Sequence, residues 1–158
     1  MDDCTTMRPA WYSASEESLA LTRPADVAVV RVRARAFARS AGLDMHEQWH
    51  VAIAASEAAS NAIKFGAPGW LVMRAMHLPW VGVEIDVRDS GPGFGDPVHA
   101  LVDGVSEGVM RAQHSQGAWR GLGLGLGAIR RLMDEMSLGR APSGGARLLA
   151  RKWSGRAR

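Results

Sequence analysis

Residues 88–96 read "RDSGPGFGD": one carboxylate, Asp89, stands directly ahead of glycines 91, 93 and 95, with Pro92 between the first two. The preceding run, "VGVEIDV" (81–87), has the composition of a strand. A strand ending there delivers Asp89 to a turn whose missing side chains let a flat ligand lie against bare backbone. A carboxylate in that place accepts from the exocyclic amine of adenine, where guanine presents an oxygen and is repelled. Taken alone the pattern is weak, since Gly-Pro and Asp-Gly pairs also form plain turns.

Working outward, "WLVMRAMHL" (70–78) is a second strand-like run, separated from the first only by Pro79 and Trp80, so the two are predicted to form a hairpin. Upstream lies a helical pattern with Val51, Ala55, Ala58, Ala62 and Phe65 on its apolar stripe. Asp44 is its expected N-cap, Glu47 completes a capping box, and "FGAPG" (65–69) breaks it. An earlier helix is predicted from Pro24 to Gly42, with Val27, Val30, Ala34, Phe37, Ala38 and Ala41 at helical spacing. Leu19 to Leu21 reads as a short edge strand, and residues 1–18 as a polar, flexible start.

Downstream, residues 95–120 are weakly periodic and too long for a simple connector, which marks a lid or a disordered stretch. "GLGLGLG" (121–127) then leads into a helix expected at about 128–136, followed by strands near Leu138 and at "ARLLARKW" (146–153). The order predicts an α+β sandwich: a mixed sheet covered on one face by helices. A single domain over 19–153 is expected, with 154–158 as a basic tail.

The second helix carries Glu57 and Asn61, four residues apart and therefore only roughly 40° apart around the axis, with Lys64 nearby. A carboxylate can take a proton from a hydroxyl nucleophile, and an amide oxygen one turn away suits Mg²⁺. By themselves these residues also fit an ordinary solvated face. The backbone N–H groups where "GLGLGLG" opens its helix would form a natural phosphate site.

Composition excludes several classes. The net charge of +3 comes from scattered arginines, so nucleic acid is possible and not required. Cys4 stands alone and cannot form an internal disulfide, and "MDDCTTM" lacks the order of a signal peptide. No run approaches the roughly 18 apolar residues of a membrane span, so the expected location is the cytoplasm. "HEQWH" (46–50) has the spacing of a zinc-protease helix, but Glu47 already serves the capping box and no third ligand follows at the spacing such sites use. Gly123, Gly125 and Ala128 meet a dinucleotide spacing without a strand before them or an acid after Glu135, and there is no P-loop.

Together, "EAASNAIKFG", "DSGPGF" and "GLGLGLG" resemble, in order, the N box and the two glycine boxes of the Bergerat-fold (GHKL) ATPases, with a lid at about 95–120 between the last two. Small size, "IRRLMDEMSL" and "RKW" are similar to the bacterial anti-sigma and switch serine/threonine kinases of the RsbT/RsbW type. No second helical domain with a phosphoacceptor histidine is present, so a complete histidine kinase is not the match. The resemblance implies ATP and Mg²⁺ as cofactors and a STAS-domain anti-sigma antagonist as phosphoryl acceptor, with a sigma factor or PP2C-type phosphatase as further partners. It implies Glu57 as general base, Asn61 as metal ligand and Asp89 as adenine contact. Lys64, Gly91 and Gly93, with Gly121, Leu122, Gly123, Leu124 and Gly125, would complete the nucleotide site.

The same resemblance admits a binding module that sequesters a sigma factor or activates a phosphatase without significant transfer. Oligomeric state is left open. The sequence departs from the family at Ala146, where a threonine usually follows the late Gly-x-Gly. The γ-phosphate contact is open between Arg111 and Arg120. Arg31, Arg35 and Arg39 line up along the first helix, and Arg140, Arg147, Arg151, Lys152, Arg156 and Arg158 load an acid-free C-terminal segment. Either set reads as a docking surface for an acidic protein or as a solvated face.

Overall fold

A computed structural model describes residues 12–93, 105–106, 109–110 and 125–155. The elements are β1 (Tyr12–Leu21), α1 (Asp26–Ser40), α2 (Met45–Gly66), β2 (Gly69–Met76), β3 (Gly82–Asp89), β4 (Val105–Ser106), β5 (Val109–Met110), α3 (Gly125–Leu132), β6 (Glu135–Arg140) and β7 (Ala146–Trp153). Five strands form one sheet in the order β1-β2-β3-β7-β6, and β4 with β5 makes a separate two-stranded ribbon.

α2 begins at the predicted capping box. Glu47 N–H donates to Asp44 Oδ1 and Asp44 N–H donates to Glu47 Oε2, both at 2.8 Å. Glu47 Oε1 accepts the Gly155 N–H at 2.7 Å, which ties the end of the sheet to the start of the helix. Both oxygens of the central acid of "HEQWH" are therefore committed to backbone. Val51, Ala55, Ala58 and Ala62 are buried as expected, whereas Phe65 stays 41% exposed. The buried alanines of α2 keep its axis close to the sheet, where Leu71, Met73, Val83, Ile85, Leu148 and Ala150 meet Val30, Ala34 and Phe37 of α1 and Ile129 of α3.

The mixed sheet expected from the sequence is corrected: every neighbouring pair is antiparallel. Two consecutive helices between β1 and β2 return the chain to the end where β1 finished, pairing Leu21 with Gly69, so β2 runs back along β1. The polar start is corrected as well, because residues 12–18 belong to β1. This edge strand is held by charge as well as by backbone: Glu16 pairs with Arg74 at 2.9 Å, and Glu17 with Arg33 of α1. The hairpin forms, but its strands end at Met76 and restart at Gly82, leaving residues 77–81 as the loop. α3 is already helical at Gly125, three residues before the expected start, and stops at Leu132, since β6 already pairs with β7 from Glu135.

The sheet face away from the helices carries a row of alternating charge, in register across all five strands: Glu16, Arg74, Glu84, Arg151 and Glu135. Its links measure 2.9, 3.2, 2.8 and 3.1 Å. One row further, Asp86 receives Arg88 at 2.6 Å and Arg147 at 2.9 Å, with Arg74 at 3.4 Å. Burial would raise the Asp86 carboxyl, but the hydrogen bonds from Arg88 and Arg147 outweigh it and hold the group down at about 2. Lys152 pairs with Asp134 at 3.1 Å. Arg147, Arg151 and Lys152 are thus consumed within the molecule, which corrects their reading as a docking surface. Arg156 and Arg158 lie outside the described residues.

Candidate nucleotide site

β3 carries Asp89 to the last turn of α2. Asp89 Oδ1 accepts the Gly91 N–H at 2.9 Å and the Ala146 N–H at 3.0 Å, and Oδ2 has no hydrogen-bond donor among the described residues. Ser90 N–H donates to the Gly66 carbonyl at 2.8 Å, clipping the strand end to the helix end. One carboxylate oxygen thus holds β3, its turn and β7 together.

The glycines around Asp89 serve closeness between chain segments. A Cβ on Gly66 would sit 2.4 Å from Asp89 Cγ, one on Gly91 2.6 Å from the Phe65 carbonyl oxygen, and one on Gly145 1.9 Å from the Asp89 carbonyl oxygen. Such separations are shorter than any side-chain carbon tolerates, so these three positions exclude even alanine without backbone movement. Gly93 is required for another reason, a φ of +83°. Gly66 and Gly145 had a signal in the sequence, the breaker "FGAPG" and the late "PSGG", but nothing local says that both close on one aspartate.

Glu57 and Asn61 lie on one face of α2, half-buried, with Gly66 about 7 Å further along the axis. Gly125 of α3 packs onto that face: a Cβ on it would lie 3.0 Å from Glu57 Oε2 and 3.3 Å from Asn61 Nδ2. Neither the Glu57 carboxylate nor the Asn61 amide has a hydrogen-bond or ion-pair partner among the described residues. Lys64, expected at the nucleotide, is exposed with its ammonium 4.6 Å from the centre of the Phe65 ring.

The structure therefore brings Glu57, Asn61 and Gly125 together, sets Asp89 and Gly91 against the C-terminal end of the same helix, and places Gly93 beside Gly144 and Gly145 in the turn before β7. Gly121, Leu122, Gly123 and Leu124, and both Arg111 and Arg120, lie outside the described residues; of the expected lid at 95–120, β4 and β5 are described. Ala146 is 9% exposed on the helix-facing side of β7, and its N–H is bound to the carboxylate expected to read adenine. Chemically, a carboxylate such as Glu57 can act as a base and an amide oxygen one turn away, as on Asn61, can hold a hard cation.

Two comparisons with known proteins agree with this arrangement. The family described as "Histidine kinase-like ATPase domain" matches residues 21–152, from the last residue of β1 to the penultimate residue of β7. The chain is also 30% identical over 129 residues, 81% of its length and 89% of the relative's, to the serine/threonine-protein kinase RsbT of Bacillus subtilis (strain 168). With the aspartate turn and the glycine-led α3 both packed on the helix that carries the N box, the chain belongs to the histidine kinase-like (GHKL) ATPase family, on the side of the RsbT-type anti-sigma regulators.

Proposed function

We propose that this protein is an ATP- and Mg²⁺-dependent serine/threonine kinase of a cytoplasmic partner-switching system, phosphorylating a STAS-domain anti-sigma antagonist. The observation that carries this reading is the pair of side chains, Glu57 and Asn61, that have no partner among the described residues and against which Gly125 of α3 packs. Kinship with a protein named as a serine/threonine kinase supports it. The bound Mg²⁺-nucleotide supplies the phosphoryl group and the charge that neutralises it. Asp89 Oδ2 would accept from the adenine amine, the Asn61 amide oxygen would hold the metal, and backbone N–H groups of the first turn of α3 would hold the phosphates. Glu57 would take the proton from the serine hydroxyl while the serine oxygen bonds to the γ-phosphorus and the bond from that phosphorus to the ADP oxygen breaks, leaving ADP.

Glu57→Gln keeps the shape and removes the basicity. The variant is expected to bind Mg²⁺-ATP and its partner normally while losing roughly 10²- to 10⁴-fold in transfer rate, the range for a positioned general base. Mass spectrometry of STAS proteins after single-turnover incubation reads the outcome. Undiminished transfer by the variant removes the general-base role. No phosphate on any STAS protein with the parent enzyme favours the sequestering or phosphatase-activating module instead.

A further inference from the structure

The sheet arginines Arg74, Arg88, Arg147 and Arg151 all have carboxylate partners, and so does Arg33 of α1. Arg31, Arg35 and Arg39 do not. They project at four-residue spacing along α1, all exposed, and none has an acid within ion-pair distance among the described residues. They border a groove between α1 and the start of α2, with Val32, Ala36 and Trp49 as its apolar surface. Val32 is 69% exposed, Trp49 41%, and Met45, one turn before Trp49, 61%. The Arg35 Cζ lies over the Trp49 ring, 4.1 Å from its centroid, a cation–π contact that holds the guanidinium at the groove.

We propose that this groove is a docking site for an acidic amphipathic helix of a protein partner. The three guanidiniums span about 12 Å along α1 at about 6 Å intervals, the repeat at which a second helix presents carboxylates placed every four residues. Val32 and Trp49 between them offer the apolar contact that a helix-in-groove mode requires. A phosphate backbone matches the charge and leaves that apolar surface in water. A second copy of this chain is a poor occupant, because α1 carries only Asp26, α2 only Glu47 and Glu57, and α3 no acid. The groove is separate from the nucleotide site, since Trp49 precedes Glu57 by about 12 Å along α2, and the proposal stands whether or not the protein transfers phosphate.

The test uses the full chain and a capped helical peptide of about 15 residues, with glutamate at every fourth position and leucines on the adjoining stripe. Binding is followed by calorimetry and by the NMR shift of the Trp49 indole N–H. The expected result is saturable binding that moves the Trp49 signal, roughly tenfold weaker in Arg35→Glu and in Trp49→Ala, and unchanged in Arg33→Glu. ATP affinity should be the same in all of these variants. No binding of the acidic peptide overturns the proposal. So does equal binding of a peptide with lysines in place of the glutamates, or a larger Trp49 shift with short duplex DNA. Equal weakening by Arg33→Glu and Arg35→Glu would reduce the effect to net charge and overturn it as well.

Discussion

The Ala146 backbone N–H donates to Oδ1 of Asp89 at 3.0 Å, across 57 residues of sequence. With the Gly91 N–H on the same oxygen at 2.9 Å, the carboxylate is held through Oδ1, and Oδ2 takes no hydrogen bond among the described residues. Asp89 is therefore both a joint between β3 and β7 and the candidate reader of adenine.

Asp89→Asn separates these two roles. Its amide oxygen can replace Oδ1 toward Gly91 and Ala146, which puts the amide NH₂ where Oδ2 was, donor against donor. ATP affinity, measured by calorimetry with Mg²⁺ present, should fall by about 10- to 100-fold. Circular dichroism should be unchanged. Equal affinity in variant and parent would show that Asp89 does not touch the base.

Ala146→Thr places a hydroxyl beside that joint, because the side chain faces the helices and the strand needs only its N–H for Asp89. One added hydrogen bond of about 1 kcal/mol corresponds to about fivefold tighter ATP binding. The same titration checks it, and weaker binding would mean that the space is needed by the nucleotide.

Gly145→Ala should destabilise the fold by about 2 kcal/mol or more, since its Cβ would meet the Asp89 carbonyl oxygen at 1.9 Å. Gly139→Ala, in the same hairpin, meets nothing within 4 Å and should be neutral or slightly stabilising. Urea unfolding of the two variants should separate them clearly.

Asp86 controls acid stability. Its carboxyl is held at about 2, below the ordinary value of 3.8, so its contribution is fully present above about pH 4 and is lost as the pH falls toward 2. The shift corresponds to on the order of 2 kcal/mol. Asp86→Asn leaves three arginines facing a neutral amide and should cost about 3 kcal/mol at pH 7. Urea curves at successive pH values should show the gap between parent and variant narrowing from pH 4 to pH 2.

Local signals in the sequence determined much of this protein. The Asp44–Glu47 capping box, the helical spacing of Val51, Ala55, Ala58 and Ala62, and the four-residue spacing of Glu57 and Asn61 concern neighbours along one helix, where periodicity and position are the same thing. The turn chemistry of "RDSGPGFGD" likewise located Asp89 at a strand end. The tertiary structure decided what depends on register. β1 extends to Tyr12 because Glu16 and Glu17 meet Arg74 and Arg33, contacts that leave no apolar alternation to read. The basic C-terminal run proved to be half of a paired lattice, since Arg147 and Arg151 fall opposite Arg88 and Glu84 only once β7 is aligned with β3. Gly66 and Gly145 close on Asp89, and Gly125 on Glu57 and Asn61, from segments distant in sequence. Such contacts arise from strand pairing and helix packing between remote segments, and no local pattern encodes them.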